Sequence, residues 1–131
     1  MVKPLIEVTC AIIMDGERIL VTQRSSEMPH PHKWEFPGGK LRTGENPEAC
    51  IIREIREELG VEISVKQLLP SVSYSYSRHT VKLIPFICSI LAGEISLSEH
   101  SVYRWVNRSE LAGIDWLEAD LEILELLNRY N

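Results

Sequence analysis

Residues 39–61 read GKLRTGENPEACIIREIREELGV, and their spacing predicts a loop, a helix and a stop. Asn46 has the short polar side chain that caps a helix, and Pro47 suits the first helical position, where a missing N–H costs nothing. Gly60 is the expected C-terminal stop. At about 100° per residue, Glu54, Glu57 and Glu58 fall on one ridge, while Ile52, Ile55 and Leu59 centre on a direction well away from it. The helix is therefore expected to be buried on one side and acidic on the other.

Two explanations of the acidic ridge compete. One is a solvated helix face laced by pairs such as Arg53 with Glu57. The other is a site for a hard divalent cation, which takes several oxygen ligands and is usually shared with substrate phosphates. A resemblance separates them, for the surrounding pattern fills every specified position of the Nudix box: Gly39, five residues, Glu45, seven residues, then Arg53-Glu54-aliphatic-any-Glu57-Glu58-any-Gly60-aliphatic. At ordinary residue frequencies this combination arises by accident in on the order of one chain of this length per ten million. The cation reading is favoured on that ground.

Before this stretch, residues 6–14 are apolar and β-rich, Asp15-Gly16 is a turn signal, and residues 18–24 resume the pattern, which reads as a hairpin. Arg24 stands at its exit, where position alone does not decide between a surface strand end and a phosphate contact. The following SSEMPHPHKWEFPGGK is dense in turn formers and reads as a loop. His30 and His32 lack companion ligands and read as exposed loop histidines. Trp34 and Phe36 divide between core and base-stacking wall, and the sequence does not say which takes which role.

After the helix, residues 63–69, 72–77 and 81–91 have β character. Tyr74 and Tyr76 alternate with serines as on a half-exposed strand, and Pro85 is expected at an edge or bulge. Residues 102–106 read as a further strand, Ser109 is placed to cap a short helical turn, and residues 117–127 close the chain as a helix. The sum is an α/β chain with a mixed sheet between helices.

A length of 131 residues suits one domain with a sizeable core, and 44% apolar with 25% charged residues is ordinary for a globular protein. The net charge of −5 argues against a binder of nucleic acid polymers but not against a nucleotide, since a metal ion bridges acidic residues and a polyphosphate. The apolar runs are shorter than the roughly 20 residues that cross a bilayer, and MVKPLIEVTC has no signal-peptide core, so a soluble cytoplasmic protein is expected, with no membrane partner. Cys10, Cys50 and Cys88 are odd in number, lack paired metal spacing and read as small core residues.

The filled pattern of residues 39–61 matches the Nudix box, and the chain resembles the Nudix hydrolase family, in particular its MutT-like and CTP pyrophosphohydrolase branch. The likeness extends to the hairpin ending in Arg24, the WEFPGGK approach to the box and the closing EADLEIL. It implies an α/β/α sandwich with a mixed β-sheet, a loop-helix-loop at the box, and a single domain over residues 1–131. It also implies hydrolysis of nucleoside diphosphate derivatives, in which water attacks phosphorus with Mg²⁺, or Mn²⁺ in its place, as cofactor.

Carried over by resemblance, Glu54, Glu57, Glu58 and the backbone carbonyl of Gly38 are metal-ligand candidates, with Glu99 in LSEHSVYRW as a further carboxylate. Glu54 is also the candidate for orienting or deprotonating the water, and Arg53 is expected to pair with Glu45 and fix the helix's carboxylates. Arg53, Glu54, Glu57 and Glu58 thus form the catalytic set, and Gly39, Glu45 and Gly60 support it. The substrate-facing set is Arg24, Phe36, Lys40 and Asp120. Asp120 stands where the branch reads the base edge, and the branch's prototype has asparagine there. An ionised aspartate only accepts, which favours donors such as the exocyclic amine of cytosine or guanine.

The implied reaction is NTP plus water to NMP plus pyrophosphate, on CTP-type or oxidised nucleotides such as 8-oxo-dGTP, in nucleotide-pool sanitation. Tyr74 or Tyr76 keeps open a dinucleoside polyphosphate hydrolase, and a sensing module without hydrolysis is the alternative from another class. The chain is expected to act as a monomer or homodimer.

Overall fold

Two helices pack on opposite faces of one mixed sheet in the computed structural model, which describes residues 2–129. The strands are β1 (Leu5–Asp15), β2 (Arg18–Gln23), β3 (Trp34–Glu35), β4 (Gly38–Lys40), β5 (Glu62–Leu68), β6 (Val72–Ser75), β7 (Thr80–Ala92) and β8 (Val102–Asn107). The helices are α1 (Pro47–Leu59) and α2 (Glu118–Arg129), and a 3₁₀ turn covers Arg108–Gly113. The order β3-β2-β1-β7-β5 forms the main path; β4 pairs with β1, β6 with β7 and β8 with β2. The β1 and β7 strands run parallel and the other pairs antiparallel, so the sheet is mixed, in the expected α/β/α arrangement.

Strand alternation divides the core. From β1, Cys10 and Ile12 join Ile19 and Val21 of β2 beneath Ile123, Leu126 and Leu127 of α2. Ala11 and Ile13, with Leu20 of β2, face Ile51, Ile55 and Leu59 of α1. Because both sheet faces are covered, these strands read as continuous apolar runs rather than as alternating ones. The three cysteines are free and buried, as expected.

The ends of α1 follow from local chemistry. Asn46 Oδ1 accepts the Ala49 N–H at 2.8 Å, Pro47 opens the helix, and Gly60 closes it at φ 69° with its N–H on the Arg56 carbonyl. The buried stripe is Cys50, Ile51, Ile55 and Leu59: Ile55 and Leu59 are buried as expected, while Ile51 takes the place expected of Ile52, which is only half-buried.

Two expectations need correction. Pro85 is not at an edge: β7 lies between β1 on one side and β5 and β6 on the other. Its carbonyl accepts the Leu69 N–H at 2.9 Å, so its missing donor faces the link between β5 and β6, where no ladder bond is lost. The 3₁₀ turn is capped at Asn107 rather than at Ser109, and the Asn107 N–H is met by Glu110 Oε1 at 2.9 Å.

Asn46→Ala is expected to lower stability by about 1 kcal/mol and Tm by about 3–5 °C, whereas Asn46→Asp should leave both nearly unchanged. Thermal and urea denaturation of the three proteins checks this. An Ala variant as stable as the parent would mean that the cap is not what fixes the start of α1.

Candidate active site

The box loop and α1 meet at two glycines: Gly38 is pressed against backbone and admits nothing larger, and Gly39 admits a side chain only if the Glu54 carboxyl moves aside. A Cβ on Gly38 would stand 2.0 Å from the Thr9 carbonyl oxygen, and one on Gly39 would stand 2.3 Å from the Glu54 carboxyl. Register with β1 (Thr9 opposite Gly39, Cys10 opposite Gly38) holds this backbone against the carboxylates of α1.

Arg53 organises the helix side. Its Nε donates to Glu45 Oε2 at 2.7 Å and its Nη2 to Glu45 Oε1 at 2.9 Å, a two-pronged pairing. Its Nη1 donates to Glu54 Oε1 at 2.9 Å and to Glu57 Oε2 at 3.2 Å. The guanidinium therefore restrains three carboxylates at once. The Arg53 bonds hold the Glu45 carboxyl down at a pKa of about 2.

Glu58 is different. It turns inward, Oε2 is buried without a hydrogen-bond partner, and its pKa is pushed up to about 9. Burial is the largest cause, followed by the charges of Glu54 and Glu35; a hydrogen bond from the Gly38 backbone opposes them, and Glu99 adds a smaller push upward. What this place lacks is positive charge.

Among the described residues no three or more His, Cys, Asp or Glu side chains are gathered tightly enough to form a complete metal-binding group. The physical reason is that Arg53 holds Glu54 and Glu57, and Arg42 Nη2 also reaches Glu57 at 3.4 Å. The donor set still suits a hard divalent ion: carboxylate oxygens, one of them orphaned and buried, beside a glycine backbone, with the rest of the coordination left to water and substrate oxygens.

These groups form one end of a cavity of about 390 Å³, a size suited to a small ligand. Glu58, Glu99, Gly38, Gly39 and Lys40 line that end; Asp120, Ala119, Tyr76 and Phe36 line the other. Lys40 is exposed at the rim and Glu99 is exposed on the loop before β8. Neither Glu54 nor Glu57 lines the cavity: Glu54 lies against Gly39, which does, and Glu57 is half-exposed beside it.

Phe36 belongs to the core and also borders the cavity. It is 3% exposed and stacks on Trp116 at 4.7 Å between ring centres, yet it lines the cavity. Trp34 lies outside, half-buried under Arg104. Asp120 is buried, and its Oδ2 accepts the Phe36 N–H at 2.8 Å. Burial, then the charge of Glu35, push the Asp120 carboxyl well up from the usual range, so the purely accepting aspartate expected from sequence gains a protonated form that also donates.

Sequence reasoning missed Glu35 and His100. Glu35 takes Arg24 Nη1 on Oε1 at 2.8 Å and meets His100 Nε2 through Oε2 at 2.7 Å, and Arg24 Nε also donates to the Pro29 carbonyl. Glu35 thus sits between the acidic end and the Asp120 end, raising the pKa of both Glu58 and Asp120. The one available hint was a carboxylate between Trp34 and Phe36, in a stretch otherwise apolar up to Gly38-Gly39.

A mixed sheet between two helices, with a glycine-lined carboxylate cluster at a cavity of about 390 Å³, defines the class: an α/β/α sandwich with an acidic, cation-suited pocket. Residues 3–127 match the NUDIX domain family model, and the chain belongs to the NUDIX family. It is 31% identical to the CTP pyrophosphohydrolase of Escherichia coli K12, over 92% of this chain and 90% of that protein. It is 27% identical to the 8-oxo-dGTP diphosphatase of the same organism, over 88% and 89%. The crystal structure of a MutT protein from Methanosarcina mazei superposes with a TM-score of 0.88 at 26% identity, covering 98% of this chain and 96% of that one. Hydrolases of this family generally use divalent metal ions.

Glu58 holds a proton in the folded protein up to about pH 9 that the unfolded chain releases near 4.5. The stability this contributes is complete below about pH 4.5 and is lost as the pH climbs to about 9. In chelator, Glu58→Gln is therefore expected to gain on the parent by about 1.4 kcal/mol per pH unit across that window. Urea denaturation from about pH 6 to 9 measures the difference. A gap that does not grow with pH would show that Glu58 ionises freely.

Proposed function

We propose that this chain is a Mg²⁺-dependent nucleoside triphosphate pyrophosphohydrolase, with Mn²⁺ an acceptable substitute, converting a nucleoside triphosphate and water to the monophosphate and pyrophosphate. The observation that carries this reading is one cavity lined at one end by the carboxyl groups of Glu58 and Glu99 and at the other by Asp120, Tyr76 and Phe36. A nucleotide spans both, polyphosphate at the first and base at the second. The names of the relatives point to cytidine triphosphates or oxidised guanine nucleotides as the substrate class.

In this reading Glu54, Glu57, Glu58, Glu99 and the carbonyl of Gly38 hold the cation. When bound, it shields phosphate charge and eases deprotonation of water. Glu54, lying against Gly39, orients the attacking water and takes its proton. The water oxygen bonds to phosphorus as the bridge between the α and β phosphates breaks, and the electrons of that bond leave with the departing phosphate oxygen.

Arg53, anchored on Glu45, keeps the helix carboxylates from splaying apart. Lys40 approaches the phosphate oxygens from the rim. Arg24, fixed by Glu35 and the Pro29 carbonyl, presents its remaining N–H groups to the nucleotide. Asp120 reads the base edge with the oxygen not used by Phe36, accepting when ionised and donating when protonated.

Pyrophosphate release with Mg²⁺ is the test, across CTP, dCTP, dGTP, 8-oxo-dGTP and a dinucleoside tetraphosphate. A triphosphate should be cleaved, with a loss of roughly 100-fold or more in Glu57→Gln, and Asp120→Ala should change the ratio between preferred and poor bases by about tenfold. Cleavage of the dinucleotide alone would overturn the substrate assignment. Tight nucleotide binding with no turnover would make the chain a sensing module instead.

A further inference from the structure

The carboxylate at Glu99 lies on an irregular segment, residues 93–101, between β7 and β8, and the structure shows how that segment is tied down. Ser96 N–H donates to the Leu59 carbonyl at 2.8 Å and Ser98 N–H to the Glu58 carbonyl at 3.1 Å, so the segment is bonded to the last turn of α1. At its other end Ser101 N–H donates to the Gln23 carbonyl at 3.0 Å, on β2. Glu99 and His100 lie between these two anchors, and Glu99 itself is exposed.

His100 is 8% exposed, a degree of burial unusual for an imidazole in a surface segment. Nε2 meets Glu35 Oε2 at 2.7 Å, while Nδ1 is buried without a partner. With the ring proton on Nε2, Nδ1 is a bare lone pair, and an unmet acceptor is the less costly group to bury. Glu35 is itself fixed by Arg24, whose Nε is held by the Pro29 carbonyl. A chain of side chains thus runs from the loop after β2, through β3, to the segment that carries Glu99.

Resting on the hydrolase reading above, we propose that His100 is a positioning residue: its bond to Glu35 fixes the segment between the α1 and β2 anchors and so sets Glu99 toward Glu58 and Gly38. Without that bond the two backbone anchors still hold the segment's ends, and the residues between them are free to turn Glu99 outward. His100 touches neither substrate nor cation in this arrangement. Its effect passes through Glu99, which makes the proposal separable from a general packing role.

The test compares His100→Gln, whose amide nitrogen stands near the place of Nε2 and reaches Glu35, with the shorter His100→Asn, which does not. Mn²⁺ binding by its electron paramagnetic resonance signal, together with kcat and nucleotide KM, is measured in each, alone and combined with Glu99→Gln. His100→Asn is expected to weaken Mn²⁺ binding and lower kcat by about tenfold, with nucleotide KM changed less than about twofold. His100→Gln should recover most of the loss, and the Asn substitution should cost little further once Glu99→Gln is present.

Equal Mn²⁺ affinity in His100→Asn and the parent would overturn the proposal. So would equal losses in the Gln and Asn variants, or a full loss on top of Glu99→Gln. Should His100→Asn fail to fold, the Mn²⁺ affinity lost on adding Glu35→Ala to His100→Gln is compared with that lost on adding it to His100→Gln/Glu99→Gln: a clearly smaller loss once Glu99 is replaced supports the tether, and equal losses, as expected from charge alone, overturn it. A parent protein that binds Mn²⁺ but cleaves no nucleotide would sink the hydrolase reading while leaving the affinity comparison legible.

Discussion

Like charges crowded against a glycine backbone are the constraint on which this protein is built. Glu35, Glu54, Glu58 and Glu99 approach one another where β4 passes under α1, and burial of Glu58, with their repulsion added to it, holds that carboxyl protonated into the alkaline range. A fold tolerates such crowding only where the surroundings are rigid and partly compensating. Here the rigidity comes from β1 pairing with Gly38 and Gly39, and the compensation from Arg53 on one side and Arg24 on the other.

The two arginines divide the work. Arg53 is taken up by Glu45, Glu54 and Glu57, and leaves Glu58 unserved. Arg24 answers Glu35, at the junction between the acidic end of the cavity and the Asp120 end. The charge still missing is therefore confined to one place, beside Glu58. The proposal of a cation at this cluster rests on that localisation, and hydrolases of the family generally use divalent metal ions.

Much of the frame was legible in the sequence because it is local. Asn46, Pro47 and Gly60 mark α1 through bonds to residues three or four away, and the turn at Asp15-Gly16 needs only its own dihedral angles. The alternation of Tyr74 and Tyr76 with exposed serines survives in β6 and just beyond it. What the sequence could not show depends on distant segments meeting. The importance of Glu35 arises from His100, 65 positions away, and the burial of Asp120 from the Phe36 backbone, 84 positions away. Pro85 misled for the same reason, since a central strand accepts proline only where its neighbouring strands change over, and that join is a property of the assembled sheet.

The most direct measurement is the number of protons released when a divalent cation binds. Mg²⁺ or Mn²⁺ titrated calorimetrically into the metal-free protein at about pH 7.5, in two buffers of different ionisation heat, gives that number. Close to one proton should leave per ion bound, and close to none in Glu58→Gln, because the buried carboxyl must ionise to serve as a ligand. Equally tight binding with no proton released, or the same release from both proteins, would contradict a cation site centred on Glu58.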